Sequence, residues 1–216
     1  MIAEPDVTLT DWALALEAAG LAAVAGRTGT PRLWVAFFAS ISAAALLGGI
    51  THGFFPDAEG PAATVLWRTT LLAVGITSAT AIAAGVQTVG TVRLARCVTR
   101  WVLAAFVAYA GVVLFLSRAY AVALVAYLPA TLFLLAVFVT AQRQGRSRHA
   151  FAGAIGVGVL LAGSWIQWRG ISLPALRLGH NTLYHIVAMI ALLLIYRSMR
   201  GLVAPGRSRC SLDGSS

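Results

Sequence analysis

Residues 178–200 read LGHNTLYHIVAMIALLLIYRSMR and place two imidazoles and an amide at the mouth of an otherwise apolar stretch. The stretch is about 20 residues long, which is enough to cross roughly 30 Å of hydrocarbon as an α-helix. Its polar start holds His180, Asn181 and His185. The sequence therefore predicts a membrane-spanning helix with a polar site at one end.

The composition extends this prediction to the whole chain. Its 216 residues are 59% hydrophobic and 11% charged, and a soluble domain of this size cannot bury so much apolar surface. We expect an all-α integral membrane bundle of seven helices, with spans near 8–26, 33–55, 64–89, 98–117, 119–140, 149–168 and 180–199. Residues 1–200 would form one membrane domain, and the Gly-, Ser- and Arg-rich residues 201–216 a disordered cytoplasmic tail.

Three patterns predict how the helices pack. Ala45, Gly49 and Gly53 recur every four residues on helix two, which permits close helix approach. The short link at Ser117-Arg118 predicts that helices four and five are antiparallel neighbours. Five tryptophans predict aromatic belts at the two membrane surfaces: Trp12, Trp165 and Trp168 at one and Trp34 and Trp101 at the other.

The net charge of +9 comes from 16 basic residues, all of them arginine and most in short connections. Twelve arginines flank one end of the predicted helices and four the other, so we expect the amino terminus outside and the carboxyl terminus in the cytoplasm of a bacterial inner membrane. No basic face interleaved with aromatics lies outside the spans, so we expect membrane lipids as partners and no nucleic acid. The sequence leaves the oligomeric state open.

This topology brings most of the polar residues near the membrane into one leaflet. Ionisable groups in lipid are expensive and by default indicate a site. We therefore predict a polar pocket with His52, Arg68 and His185 as candidate catalytic residues and Trp67, Asp57, Asn181 and Tyr184 as candidate binding residues. For a single interfacial histidine, a packing role is the commoner outcome. An arginine such as Arg68 more commonly reaches phospholipid headgroups than pairs with a substrate carboxylate or phosphate inside the bundle.

Helical geometry sorts the residues at the start of helix seven. Asn181 and His185 are four apart and share a face, whereas His180 and His185 point about 140° apart. His180 could join the site if the helix begins one turn later. His52 could supply the facing imidazole.

Neutral imidazoles in a dry site suit zinc, which activates a water when one of its four positions stays open. The sequence offers His52, His180 and His185 as candidate zinc ligands, with Asp57 or Asp11 as possible carboxylates.

Seven helices, a histidine near the end of helix two and a histidine-containing start of helix seven resemble the CREST superfamily, which includes alkaline ceramidases, progestin and adipoQ receptors and hemolysin III proteins. That superfamily carries Ser-x3-His on helix two, Asp on helix three and His-x3-His on helix seven, which hold zinc for lipid amide hydrolysis. His52 and His185 match it, while Gly48 and Asn181 replace a serine and a histidine, and helix three has no acidic residue between Trp67 and Gly85. The stretches LGGITHGF, WRTT and HNTLYH are also similar to uncharacterised bacterial seven-helix proteins.

Three classes of function follow from these expectations. One is a zinc-dependent hydrolase that acts on an amide or ester of a lipid. The second is a binding or sensor protein that holds a lipid headgroup or small ligand in the same pocket. A transporter is the third, but the predicted cytoplasmic halves of the helices lack the polar track that it needs.

Overall fold

The computed structural model describes residues 2–55, 60–176 and 178–203. Seven long α-helices make up this part of the chain: α1 (Pro5–Arg27), α2 (Arg32–Phe54), α3 (Gly60–Val89), α4 (Val92–Gly111), α5 (Tyr120–Arg143), α6 (Ala150–Trp168) and α7 (His180–Val203). A π-helical turn, Val112–Leu116, continues α4. The all-α prediction is confirmed.

Each of the seven spans is long and apolar enough to cross a membrane, with the π-helical turn included in the fourth. The protein is therefore a multi-pass membrane protein. Helix α7 continues to Val203, so residues 201–203, predicted to begin the disordered tail, are helical. The rest of that predicted tail, 204–216, lies outside the described residues.

Six of these helices pack in a ring, in the order α1, α2, α3, α5, α6, α7 and back to α1. Helix α4 lies outside the ring against α3, so the prediction that α4 and α5 are close neighbours is wrong. Between α3, α4 and α5 there is a cavity of about 210 Å³. The preference for α3 has a local reason: Gly75 has no side chain, and its place is taken by Phe106 and Tyr109 of α4.

The small residues of α2 pack as predicted. A side chain at Gly49 would overlap the indole of Trp12, and one at Gly53 would crowd Thr8. The backbones of α1 and α2 can therefore approach closely. This approach brings the polar start of α1 against the end of α2.

The main apolar core of the bundle lies towards one end. One half, towards the end with most arginines, holds a continuous apolar core that includes Trp34, Phe38, Phe138 and Ile195. The prediction of a surface belt is wrong for Trp34, which is buried, packs on Phe138 and donates a hydrogen bond to Thr88 Oγ1 at 3.3 Å. We call this end the arginine-rich end and the opposite end, where α1 and α7 begin, the site end.

Candidate functional site

A cavity of about 320 Å³ lies inside the ring near the site end. Every helix of the ring contributes to its wall, and α4 does not. The lining residues with polar side chains are Asp11, His52, Trp67, Thr70, Thr77, Tyr120, Tyr127, Gln167, Asn181, Tyr184 and His185. The rest of the wall is apolar or glycine, as is usual for a small-molecule site.

A buried carboxylate and imidazole form the polar centre of this wall. Asp11 Oδ1 of α1 lies 3.2 Å from His185 Nε2 of α7, and both side chains are more than nine-tenths buried. The second ring nitrogen, Nδ1, lies 3.1 Å from Thr10 Oγ1. Both nitrogens of His185 are therefore occupied by α1, which fixes the plane of the ring.

The protonation of this group can follow two patterns. Thr10 Oγ1 also lies 2.9 Å from the Asp6 carbonyl and 3.0 Å from the Val7 carbonyl. If the hydroxyl donates to either carbonyl, it accepts from Nδ1–H, and His185 is then either a cation beside ionised Asp11 or a neutral ring whose Nε2 accepts from protonated Asp11. If it donates to Nδ1, His185 is neutral and donates to Asp11 through Nε2 alone.

A second carboxylate and histidine pair lies between the start of α1 and the end of α2. Glu4 Oε2 is 3.0 Å from His52 Nδ1, and both side chains are partly exposed. Among the described residues, His52 Nε2 has no hydrogen-bond partner. His52 thus lines the cavity with one ring nitrogen oriented by a carboxylate and the other available.

Further hydrogen bonds hold the helix ends around the cavity. Thr182 Oγ1 of α7 donates to Asp6 Oδ2 of α1 at 2.8 Å, and Gln167 Nε2 of α6 donates to Asn181 Oδ1 of α7 at 3.0 Å. Helices α1, α6 and α7 are therefore tied together at the level of the polar wall.

The structure brings most of the predicted site residues together. His52, Trp67, Asn181, Tyr184 and His185 all line the cavity, and Asn181 and His185 share a face as expected. Neither Arg68 nor His180 lines it. The prediction for Asp57 lies outside the described residues.

Arg68 and its neighbour Trp67 differ in their contacts. The Trp67 indole donates to the Arg118 carbonyl at 2.8 Å, which anchors α3 to the start of α5. Arg68 Nε is buried and makes no hydrogen bond with the described chain.

The predicted zinc ligands do not fit a metal held by three protein side chains. No group of three or more His, Cys, Asp or Glu side chains in the described ranges is placed to hold a metal ion. The reason is local: both ring nitrogens of His185 contact α1, and His180 lies away from the cavity wall, so His52 alone presents a free ring nitrogen.

Sequence reasoning gave α1 too small a role. It considered Asp11 as a possible carboxylate but did not pair it with His185, and it missed Glu4, Thr10, Tyr120 and Tyr127. Asp11 carried a usable signal, because a carboxylate in the second turn of an apolar helix needs a partner. The contacts of Glu4 and Thr10 depend on how α1 docks, which the sequence pattern does not specify.

A model of a protein family, described as a family of unknown function (DUF6962), matches residues 7–204. The chain belongs to the DUF6962 family. The match runs from the first turn of α1 to the end of α7, so the DUF6962 region contains all but the first two residues of the helical ring, together with α4. No curated protein and no solved structure matches the chain.

Proposed function

We propose that this DUF6962 protein binds a small amphiphilic molecule inside the membrane, with the polar group of the ligand against α1 and α7 and its apolar part directed into the bundle. The observation that carries the proposal is a buried carboxylate oxygen, Asp11 Oδ2, in the wall of a largely apolar cavity. Three features specify the ligand. The Asp11 oxygen defines its polar group, a second and deeper cavity accepts its apolar part, and the volume of the first cavity limits its size.

Asp11 Oδ2 calls for a hydrogen-bond donor on the ligand. The oxygen is buried and has no partner among the described residues, while Oδ1 faces His185. Gly48 of α2 leaves space beside it, since a Cβ there would lie 3.4 Å from Oδ2. A buried acceptor without a partner is costly, so an amine or alcohol placed there is favoured over a second carboxylate.

A second, mostly apolar cavity can accept the apolar part of the ligand. A deeper cavity of about 80 Å³ adjoins the first, and the two share the lining residues Leu14, Ile41, Thr77, Tyr127 and Tyr184. The wall of the deeper cavity is mostly aliphatic and aromatic, with Ala188 and Leu192 of α7 at its far side. An alkyl chain that entered it would leave its polar group beside Asp11.

The volume limits the size of the ligand. Ligand sites of drug-sized molecules span roughly 300–1,000 Å³, and about 320 Å³ lies at the lower end. A single-chain amphiphile fits this space better than a whole two-chain phospholipid.

Thermal unfolding of the detergent-purified protein tests the proposal with hexylamine, hexanol and hexanoate as probes. We expect the amine and the alcohol to raise the unfolding temperature and hexanoate to leave it unchanged. Asp11→Asn should remove the preference for the amine. Ala188→Leu, which fills the deeper cavity, should reduce the rise in unfolding temperature caused by hexylamine but not that caused by methylamine. Equal effects of all three probes on wild type and both variants would overturn the proposal.

A second candidate function is hydrolysis of a lipid-like ester or amide, which the Glu4–His52 pair favours. A carboxylate on one ring nitrogen and a free second nitrogen is the arrangement of a general base that activates water. The resemblance of the sequence to the CREST superfamily would imply the same reaction with zinc, but the described side chains do not supply the three ligands. Release of acid from short-chain p-nitrophenyl esters, lost in His52→Ala and retained in His149→Ala, would favour hydrolysis over binding alone.

We also propose that the protein lies in a bacterial inner membrane with the site end outward. The arginine bias supports this orientation, because cytoplasmic connections are enriched in basic residues. The cavity would then receive ligands from the outer leaflet or the space beyond it.

A further inference from the structure

Three exposed arginines at the start of α4 have no hydrogen-bond or ion-pair partner in the described protein. Arg93, Arg96 and Arg100 are exposed, and their spacing of three and four residues places them on one face of the helix. None of them makes a hydrogen bond or an ion pair with the described residues. We call Arg93, Arg96 and Arg100 the arginine stripe.

Within residues 2–55, 60–176 and 178–203, no carboxylate lies near the arginine stripe to balance its charge. Glu4, Asp6 and Asp11 lie at the opposite, site end, and Glu17 lies in the middle of α1. The other described residues include no carboxylate side chain. The charge on the arginine stripe is therefore open to an anionic partner.

The rest of this face is suited to acyl chains. Ala95 is the one buried residue of α4, because this helix packs mainly on α3. Trp101, next to Arg100, is 73% exposed, and Leu103 and Val107 below it are 62% and 64% exposed. An arginine cluster above a tryptophan and an apolar helix face has the polarity profile of a membrane interface.

We propose that the arginine stripe binds the phosphate headgroup of an anionic phospholipid, whose acyl chains lie along the exposed face of α4. Guanidinium groups pair with phosphate oxygens through two parallel hydrogen bonds, and basic residues at a membrane surface attract anionic lipid. The apolar continuation favours a lipid over a soluble acidic peptide, which would leave Leu103 and Val107 uncovered. This site is separate from the cavity of the ring.

Cys97 provides a direct probe, since it is exposed and lies among the three arginines. We would measure its alkylation by a water-soluble maleimide in a Cys210→Ser background, in nanodiscs of phosphatidylcholine with or without phosphatidylglycerol. Bound phosphatidylglycerol should slow the reaction of Cys97 by roughly tenfold, given the contribution of each arginine near the surface. Arg93→Gln/Arg96→Gln/Arg100→Gln should abolish most of this slowing.

Two controls separate specific binding from the general field of anionic lipid. Arg143→Gln/Arg197→Gln/Arg200→Gln removes three exposed arginines elsewhere at the same end and should keep the protection. Gln87→Cys, made with both native cysteines replaced by serine, reports an exposed position at the same end of α3. Equal slowing at Gln87→Cys and Cys97, equal loss in both triple variants, or protection by a soluble acidic peptide instead of lipid would overturn the proposal. The wild-type comparison and Gln87→Cys decide even if a triple variant does not fold.

Discussion

Asp11 Oδ1 and His185 Nε2 lie 3.2 Å apart, although 174 positions separate the two residues, because α1 and α7 close the ring of helices. The pair joins the first and last helices of the ring inside a mostly apolar bundle. The pair therefore contributes to the stability of the fold and also forms part of the cavity wall. Substitutions can test each of these two roles.

Removing one member of this pair should destabilise the protein more than removing both. Asp11→Leu leaves the buried imidazole without its partner, and we expect a loss of about 3 kcal/mol, the usual size for a broken buried pair. Asp11→Leu/His185→Leu should recover at least half of this loss, since an apolar pair of similar volume is often neutral. Reversible denaturation in detergent or thermal unfolding measures both. Additive losses would mean that the two side chains do not stabilise each other.

Gly49 should be the least replaceable glycine of the α1–α2 contact. A Cβ there would lie 2.6 Å from the Trp12 indole, so Gly49→Ala forces the ring or the helix to shift at about 1–3 kcal/mol. Gly20→Ala is the matched control, because apart from the adjacent backbone of α1 no atom lies within 4 Å of its added carbon. We expect Gly49→Ala to lower the unfolding temperature and Gly20→Ala to leave it nearly unchanged. Equal effects would contradict the tight packing of α1 on α2.

Hydrophobic periodicity and length were sufficient to predict the seven helices. Each span is decided locally, by a run of apolar residues that must satisfy its backbone groups within the helix. The site was predicted in part, because polar residues such as His52, Asn181 and His185 within apolar helices can be recognised from the sequence alone. Their partners Glu4 and Thr10 were missed, because neither lies in an unusual sequence context.

Helix neighbours were the weakest part of the sequence prediction. The Ser117-Arg118 link fixes how far apart the ends of α4 and α5 can be, but it does not decide which helix α4 packs on. Gly75 of α3 decides this by admitting Tyr109. Trp34 shows the same limitation, since its position at a helix start suggested a surface belt although the surrounding helices bury it.

Metal analysis should test whether hydrolysis, the second candidate function, uses zinc. Because both ring nitrogens of His185 contact α1 and His52 alone presents a free ring nitrogen to the cavity, we expect purified wild type, His52→Ala and His185→Ala to contain equally low zinc by elemental analysis. His149→Ala at the arginine-rich end is the control for histidine loss as such. Near-stoichiometric zinc that disappears in both site variants would contradict this expectation and favour the zinc hydrolase.

The orientation of the bundle can be tested with reporter fusions. Ten described arginines flank the arginine-rich end (Arg27, Arg32, Arg93, Arg96, Arg100, Arg143, Arg146, Arg148, Arg197 and Arg200), and three flank the site end (Arg68, Arg118 and Arg169). Basic connections are retained in the cytoplasm, so alkaline phosphatase, which is active outside it, should be inactive when fused after Gly29 or Val203 and active after Gly170. A green fluorescent protein fusion should give the reverse pattern at the same three positions. Activity of the phosphatase after Val203 would place the Asp11–His185 wall in the cytoplasmic leaflet, and the ligand would then have to come from inside the cell.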